Sequence, residues 1–191
     1  MLAVRGGEVG RLGDLFTRHH TRLFGFFFRL TGHRASSEDL VQLVFYRILR
    51  YRHTYRDAGN FRTWMYHIAR RTLHDYRRHA GWEHAGVPET DINQLEDHAP
   101  SADQSARDRD EAALLARAMA MLGDDEREIL VLARFEEMPH AEIADVLNIS
   151  AGAVKVRVHR AMKELRRIFL RLSDQPGATI WRPQSTGEAT P

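Results

Sequence analysis

Apolar residues recur at intervals of three and four positions in four or five segments of the chain, the spacing that places them on one side of an α-helix. No segment keeps the apolar and polar alternation of a half-buried strand, and no Asn-Gly pair marks a hairpin. The sequence therefore predicts an all-α fold. With 191 residues, 43% of them hydrophobic, the chain can bury enough surface for two small helical domains.

The first half of the chain predicts three helices. One runs from about position 12 to 30 and ends near Gly32, and the next opens with Ser36 or Ser37 as its N-cap and continues to about position 50. The third helix runs from about position 60 to 79. The predicted buried residues are Leu15, Phe16, Leu23, Phe26, Phe27, Leu30, Leu40, Val41, Val44, Ile48, Phe61, Trp64, Met65, Ile68, Ala69, Thr72, Leu73 and Tyr76. The opposite side of the third helix is cationic, with Arg62, His67, Arg70, Arg71, His74, Arg77 and Arg78.

The second half predicts a four-helix domain that ends in a helix-turn-helix. A helix from about position 106 to 121 precedes another, capped by Asp124 or Asp125, that reaches about position 136. Predicted core residues of these two helices are Leu114, Leu115, Met119, Leu122, Ile129, Leu130, Leu132 and Phe135. The helix-turn-helix follows at 139–167, with its turn at Asn148 and Ile149 and with Ser150 as N-cap of the last helix.

The last helix is amphipathic, and this pattern favours DNA binding. Val154, Val158, Ala161, Leu165 and Ile168 form its predicted buried stripe. Its other side carries Lys155, Arg157, His159, Arg160, Lys163 and Arg166, and small residues, Ala151 and Gly152, stand at its N-terminal end, where a recognition helix approaches base edges. The alternative is an ordinary solvated amphipathic helix.

Charge is segregated along the chain although the net charge is only +2. Positions 1–82 carry 15 arginines against 6 acids, positions 83–111 carry 2 against 9, and positions 112–191 carry 11 of each sign. Two basic surfaces, the second at 155–171, therefore flank an acidic middle, as expected of a protein that follows a phosphate backbone at two places. The acidic stretch 83–105 has Gly, Pro and no apolar periodicity, so it predicts a linker, and 173–191 predicts a disordered tail.

Composition narrows the classes of protein further. The absence of cysteine excludes disulfides and thiolate metal sites and is compatible with a reducing cytoplasm. No apolar run has the length of a signal-peptide core or of a membrane span, so we expect a cytoplasmic protein without membrane insertion.

Three runs of residues together resemble a bacterial RNA polymerase sigma factor of the extracytoplasmic-function (ECF) class. These runs, in order, are SSEDLVQLVFYRIL (36–49), FRTWMYHIARRTLHDYRR (61–78) and LGDDEREILVLARFEEMPHAEIADVLNISAGAVKVRVHRAMKELRR (122–167). The resemblance implies sigma domain two at 1–82, a linker at 83–105, sigma domain four at 106–172 and a tail at 173–191. It also implies a non-enzymatic promoter-specificity subunit, without cofactor or metal, that binds polymerase core and promoter DNA and nucleates melting.

The resemblance assigns three groups of site residues. Those implied to dock on core polymerase, at the clamp helices of its largest subunit, are Asp39, Gln42, Leu43, Phe45 and Tyr46. Those implied to bind the minus-ten element are Tyr55, as a stacking surface, with Arg56, Asn60, Arg62, Trp64, Arg70, Arg71, Arg77 and Arg78, although Trp64 also fits the helix core. Those implied to bind the minus-thirty-five element, with domain four on the polymerase flap, are Ser150, Ala151, Gly152, Lys155, Arg157, His159 and Arg160.

Several positions depart from the pattern of the class. Leu43 stands where an acid is common, Arg71 where Asn is common, and Pro139 and His140 where Ser-Tyr is common. The departures leave the polymerase contact and the preferred minus-ten base open. Proline is accepted at a first helical position, so the fold should tolerate it.

Two other functions are weaker alternatives. A conventional helix-turn-helix regulator would bind duplex DNA without polymerase, commonly as a dimer. A metal hydrolase is suggested only by eleven histidines, and no HExxH-like spacing is present. The resemblance also allows for an anti-sigma factor as a partner. The acidic linker could dock on polymerase, remain flexible, or fold back on the basic faces of the free protein.

Overall fold

The computed structural model describes residues 1–57, 60–79 and 106–174. Within these ranges the regular structure is entirely helical, which confirms the predicted all-α class. The α-helices are α1 (Leu2–Arg5), α2 (Leu12–Thr31), α3 (Arg34–Tyr51), α4 (Phe61–His79), α5 (Ala106–Ala120), α6 (Asp124–Leu130), α7 (His140–Leu147) and α8 (Ala151–Ser173). The predicted linker lies outside the described residues, and so does the tail from position 175 onward.

Helices α2, α3 and α4 form the first bundle, with α3 packed between the other two. Its core residues are nearly inaccessible to solvent and include Leu23, Phe26, Phe27, Leu30, Leu40, Val44, Ile48, Met65, Ala69 and Leu73. Gly32 ends α2 as predicted, since its φ of 71° is a left-handed conformation that glycine adopts without a Cβ clash. The short helix α1 has no counterpart in the prediction, and its Val4 is fully buried.

The predicted N-cap of the second helix is wrong by three or four residues. Helix α3 begins at Arg34, and extended His33 is its N-cap. Ser37 lies inside the helix, where its hydroxyl donates to the His33 carbonyl at 2.7 Å and contacts the Thr31 hydroxyl at 3.0 Å. Burial of that hydroxyl with two partners explains why a serine is tolerated in the first full turn.

Helices α5, α6 and α7 pack around α8 to form the second bundle. Ile129, Leu130, Ile143, Val154 and Ala161 are each at most 1% exposed at its centre. The turn of the helix-turn-helix is as predicted, with Asn148 left-handed at a φ of 53°. Ser150 caps α8 as predicted, because its hydroxyl accepts from the backbone N–H of Ala153 at 3.1 Å.

The start of α6 differs from the prediction. Gly123 is the N-cap, and its backbone N–H donates to the Glu126 carboxylate at 3.3 Å, whereas Asp124 and Asp125 lie in the first turn. At the next helix, Pro139 is likewise the N-cap and α7 starts one residue later, so this proline precedes the first helical position.

A π-helix over Val131–Phe135 follows α6 directly. Its wider turn is seen in the bond from the N–H of Glu136 to the carbonyl of Val131 at 3.0 Å, five residues back. Glu137, with a φ of 49°, then redirects the chain towards α7. The π-helix brings Glu136 to the inner side of the turn, where its side chain is 3% exposed.

Three residues predicted for the core are instead more than a third exposed. They are Phe16, Leu115 and Phe135. The ring of Phe135 packs under the guanidinium of Arg29, 4.3 Å from the ring centre. This cation–π contact joins the second bundle to the first, and α4 and α7 also pack together. The two bundles are therefore in direct contact.

Candidate nucleic-acid and polymerase interfaces

One side of α3 presents a mixed apolar and polar surface to solvent. Asp39, Gln42, Leu43 and Tyr46 are exposed, with Leu43 at 38% and Tyr46 at 57%. Phe45, the fifth residue implied for polymerase docking, is buried at 5% exposure and packs against Phe16 at 4.9 Å between ring centres. Phe45 can therefore support this surface from below but contributes almost no contact area of its own.

Phe16 extends the exposed surface of α3 onto α2. Its ring stacks on His20 with ring centres 4.8 Å apart and an interplanar angle of 7°, and it is 39% exposed. Aromatic and aliphatic residues surrounded by polar ones form the usual composition of a protein-binding surface. Sequence periodicity placed Phe16 in the core, because a position on the apolar stripe gives no sign of where the cover by neighbouring helices ends.

A cleft of about 420 Å³ lies between α4 and α7, beside the aromatic residues implied for minus-ten recognition. Tyr55, Asn60 and Trp64 line one side of it, while Glu142 and Asp145 line the other. Tyr55 is only 7% exposed and meets Trp64 edge to face at 5.3 Å, so it is not the open stacking surface that was predicted. Trp64 is partly buried, which fits a residue shared between core and cleft.

The cationic face of α4 is covered by the second bundle. Arg62 pairs with Glu142 at 3.5 Å, Arg70 with Glu128 at 3.2 Å, and Arg77 with Asp124 at 3.1 Å. Asn60 and Thr63 also donate to Glu142, at 3.2 and 3.1 Å. His67 lies 3.3 Å from Asp145, an ion pair when the imidazole is protonated. These contacts run along almost the whole length of α4.

Tyr66 and Glu136 form the buried centre of this contact. The Tyr66 hydroxyl donates a short hydrogen bond to the Glu136 carboxylate, and the two side chains are 0% and 3% exposed. Burial raises the pKa of Glu136, against the opposing effects of the Tyr66 hydrogen bond and of nearby arginines. Burial and the Glu136 charge together raise the pKa of Tyr66 well above its ordinary value, so the proton stays on the phenol.

Arg70 holds a second buried acid at the same contact. The side chain of Glu128 is 12% exposed and accepts from the Arg70 guanidinium through both carboxylate oxygens, at 3.2 and 3.3 Å. Burial raises the pKa of Glu128, and the Arg70 charge acts against that effect. Ionisation of Glu128 or Glu136 therefore costs desolvation free energy, and the nearby arginines offset part of that cost.

Three of the arginines implied for minus-ten binding remain open to solvent, and one of them, Arg56, lines the cleft between α4 and α7. Arg56 and Arg71 are exposed, and exposed Arg78 lies 3.7 Å from Asp75 within the same helix. Asp75 also pairs with Arg47 of α3 at 2.9 Å. In this conformation the implied minus-ten residues are thus divided between a covered row and an exposed one.

The N-terminal half of α8 is exposed along its cationic side. Ser150, Ala151, Gly152, Lys155, Arg157, His159 and Arg160 are all exposed, while Val154 and Val158 hold the helix to its bundle. A capped, exposed helix with small residues first and cations after can enter a major groove without rearrangement of its own bundle.

Sequence reasoning missed Tyr66 and the acids that face it. Tyr66 lies on the cationic side of α4 and interrupts no apolar stripe, so periodicity gives no reason to bury it. A charge count over a shorter segment could have indicated this contact, because positions 124–145 hold eight acids against two arginines. The balance of 11 cations and 11 acids over 112–191 conceals this acidic stretch next to the basic α8.

Among the described residues, no group of three or more His, Asp or Glu side chains has the geometry of a metal site. The helices of the described ranges also include none that is long and apolar enough to cross a membrane.

Comparison with protein families finds two matches in chain order. Residues 15–83 match sigma-70 region 2, and residues 112–165 match sigma-70 region 4. The chain is 33% identical over 166 residues to the RNA polymerase sigma factor CarQ of Myxococcus xanthus, a match that covers 86% of this chain and 92% of CarQ.

A second relative belongs to the ECF class by name. The ECF RNA polymerase sigma factor SigF of Caulobacter vibrioides is 32% identical over 145 residues, with 75% of this chain and 77% of SigF covered. Among solved structures, the sigma factor RpoE of Bartonella quintana, in complex with the anti-sigma factor NepR, superimposes with a TM-score of 0.64. That match has 21% identity and covers 83% of this chain and 96% of RpoE, so it is a likeness of fold.

Proposed function

Since the chain belongs to the ECF class of RNA polymerase sigma factors, we propose that it is a promoter-specificity subunit that recognises two promoter elements and nucleates melting. In this proposal domain two spans 1–82, a linker spans 83–105, domain four spans 106–172 and a tail spans 173–191. The observation that carries the proposal is the pair of cationic helices, α4 and α8. Each lies in a separate bundle, and the two bundles follow the chain order of the matched sigma-70 regions 2 and 4.

Domain four supplies recognition of the minus-thirty-five element. The exposed side of α8 enters the major groove, with Ala151 and Gly152 closest to base edges because they add no bulk. Arg157 and Arg160 are the strongest candidates for contacts to guanine, since a guanidinium can donate two parallel hydrogen bonds to that base. Lys155 and His159 contact phosphates or bases on the same side of the helix.

Domain two supplies recognition of the minus-ten element and strand separation. A base taken out of the stack enters the cleft beside Trp64 and the edge of Tyr55. The Asn60 amide nitrogen, which donates to Glu142 in this structure, is the donor that the base would take over. The α4 arginines then hold the separated strand by its phosphates. Arg71, which is exposed on the same helix, affects which base is preferred.

The exposed surface of α3 docks on core polymerase. Leu43 and Tyr46 supply apolar contact area, and Asp39 and Gln42 form its polar rim. An anti-sigma factor that covers Leu43 and Tyr46 would exclude polymerase by occupying the same surface. We propose that core polymerase and an anti-sigma factor bind this surface at different times.

The test is transcription in vitro with sigma-free core polymerase of the native host and a genomic promoter library. Starts that appear only with this protein, behind a shared pair of upstream elements, are the expected result. Arg157→Ala should weaken these starts, whereas Arg166→Ala, on an exposed position further along α8, should leave them nearly unchanged. Duplex binding without any core-dependent start would instead favour a conventional helix-turn-helix regulator.

A further inference from the structure

The short helix α1 contacts the segment that joins α3 to α4. The Arg5 guanidinium donates through Nη1 to the backbone carbonyl of Tyr55 at 2.9 Å, across 50 positions of the chain. Val4 is fully buried in the core of the first bundle and holds α1 in place. We refer to positions 52–57 as the recognition segment, because Tyr55 and Arg56 belong to the proposed minus-ten site.

We propose that Arg5 is a positioning residue for minus-ten recognition, which holds the recognition segment through the Tyr55 carbonyl and so sets the shape of the cleft for a captured base. This inference rests on the proposed function of domain two. It gives a role in promoter selectivity to α1, which precedes residues 15–83, the part of the chain that matches sigma-70 region 2.

The recognition segment has little regular structure of its own. One 3₁₀ turn spans Arg52–Thr54, and the backbone is extended at Tyr55, with a φ of −66° and a ψ of 128°. The Tyr55 N–H donates to the Arg52 carbonyl at 3.3 Å, and the Thr54 hydroxyl donates to the Tyr51 carbonyl at 2.8 Å. Bonds between residues three positions apart stabilise a turn, but they do not fix its place on the bundle. That place depends on contacts with other elements.

Close packing alone does not fix Tyr55, because its side chain borders two cavities. One is the cleft of about 420 Å³, and the other is a cavity of about 480 Å³ that is also lined by Leu2 of α1 and Leu15 of α2. Tyr55 and Asn60 line both. Where a side chain borders a cavity, few atoms oppose its displacement in that direction. A shift of Tyr55 towards α1 would therefore widen the cleft and change which base fits it.

The bond from Arg5 opposes such a shift because it ends on the main chain. A charged donor makes a stronger hydrogen bond to a carbonyl than a neutral donor does. By holding the Tyr55 carbonyl, Arg5 constrains the backbone that carries both the Tyr55 ring and Arg56. A wall that is ordered before binding lowers the ordering cost of binding and favours the base whose shape it fits. Discrimination among bases should therefore depend on Arg5, although Arg5 lines neither cavity.

Removal of this bond should leave the fold intact. Arg5 is an exposed residue, and buried Val4 anchors α1 independently of the Arg5 side chain. Arg5→Met keeps an unbranched aliphatic side chain and removes only the charged donor. Arg5→Lys keeps a charged donor on a flexible stem of similar length, so it is the conservative variant at this position.

A promoter library with randomised minus-ten and minus-thirty-five elements tests the proposal with the full-length protein and core polymerase of the native host. We define base discrimination as the ratio of transcript yields for the most and the least favoured base at the most selective position of an element. A loss of folded protein lowers all yields by the same factor and leaves this ratio unchanged. The ratio therefore reports the shape of the site and is insensitive to stability.

Arg5→Met should lower base discrimination at the minus-ten element by about five- to tenfold and leave that at the minus-thirty-five element within about twofold. Arg5→Lys should recover at least about half of the lost factor. Arg11→Met is the matched control, because exposed Arg11 pairs only locally with Glu8 and Asp14 in the described contacts, and it should change either ratio by less than about twofold. Unchanged minus-ten discrimination in Arg5→Met, an equal loss in Arg11→Met, or no recovery in Arg5→Lys would overturn the inference.

Hydrogen exchange of the free protein separates this inference from the proposed function. In Arg5→Met, the amide of Tyr55 should exchange about tenfold faster than in the natural protein, whereas amides at the centre of α4 should stay within about twofold. If the natural protein does not initiate with core, the proposed function fails, and the exchange rate still decides whether Arg5 holds the recognition segment. Equal exchange of Tyr55 in the two proteins would overturn the inference even if promoter discrimination falls.

Discussion

Replacing Tyr66 with phenylalanine removes the hydroxyl at the buried centre of the interdomain contact and little else. Tyr66 is fully buried, and its hydroxyl donates to the Glu136 carboxylate, which lies 70 positions further along the chain. The ring can remain in place against Phe26, 5.2 Å away between centres. The change therefore acts mainly on the hydrogen bond between the two bundles. The closed state, in which the bundles are in contact, makes this bond, and an open state with separated bundles does not.

The size of the effect follows from the charge of the acceptor. A hydrogen bond to a charged group contributes about 1.5–3 kcal/mol net, and the Glu136 carboxylate is left buried without its closest donor. A loss of about 2 kcal/mol from the closed state increases the ratio of open to closed molecules by roughly 30-fold. Within domain two the packing is unchanged, so the stability of that bundle should fall much less.

Thiol labelling measures this ratio even when the open state is rare. Thr63 is 6% exposed at the same contact, and its hydroxyl donates to Glu142. With Thr63→Cys as the only cysteine, the labelling rate by 4,4′-dithiodipyridine is proportional to the open fraction when reclosing is fast. Tyr66→Phe on this background should raise the rate by roughly 30-fold.

A matched control lies on the same helix. The Tyr76 hydroxyl contacts the Ser36 hydroxyl at 2.8 Å, within domain two. Tyr76→Phe makes the same chemical change at a hydrogen bond within domain two, so it should alter the labelling rate of Cys at the Thr63 position by less than about threefold. If Tyr66→Phe leaves a folded protein whose rate matches that of this control, the Tyr66 hydrogen bond does not hold the domains together.

Four further predictions concern pH, capping, burial and DNA contacts. Because burial raises the pKa of both Glu128 and Glu136, the closed state binds more protons than the open one. The labelling rate, divided by that of unfolded protein, should therefore rise as the pH increases above the ordinary pKa of a glutamate. Ser150→Ala should lower the free energy of unfolding by about 1 kcal/mol in urea titrations, since α8 loses its capping acceptor. Arg127→Met should lower the free energy of unfolding by about 2–4 kcal/mol, because the buried guanidinium donates to the carbonyl of Met119 in the last turn of α5 and to that of Leu122 just after it. Arg157→Ala should reduce the slope of log affinity against log salt for duplex DNA by about one.

Each of these predictions has its own control. The pH dependence of the labelling rate should flatten in the double variant Glu128→Gln with Glu136→Gln. An unchanged pH profile in that variant would assign the dependence to other groups. Ser150→Thr keeps a capping hydroxyl and should recover most of the lost stability. Arg134→Met changes an exposed arginine one turn beyond the end of α6, and a destabilisation equal to that of Arg127→Met would contradict the role of the carbonyl contacts. An unchanged salt slope for Arg157→Ala would remove that residue from the DNA contact.

Local chemistry made much of the fold predictable. Gly32 and Ser150 end and begin helices through their own backbone and side-chain properties, and both positions are as predicted. The predicted cap at Ser37 was wrong because a serine hydroxyl can either cap the start of a helix or, within a helix, donate to a carbonyl one turn back. The two geometries share the same local sequence, and only the path of the preceding residues decides between them.

The interdomain contact was not predictable by the same means. Tyr66 and Glu136 each look solvated within their own helices, and their pairing depends on how two bundles dock across a segment with no periodic pattern. Two features could have suggested it. The arginine row of α4 needs counter-charges, and the acids of 124–145 form an equally concentrated surface next to a basic helix. Matching such surfaces across domains requires charge counts over windows of about twenty residues rather than over whole domains.

The pairing of Arg70 with Glu128 and of Arg77 with Asp124 has a consequence for recombination between family members. Each domain serves as the counter-ion of the other, so the two halves of the chain form a matched set even though each has its own core. A chimera that joins this domain two to the domain four of a relative could fold, dock and read promoters correctly in each half. Its two halves would attract each other only where the foreign domain four carries acids opposite Arg70 and Arg77.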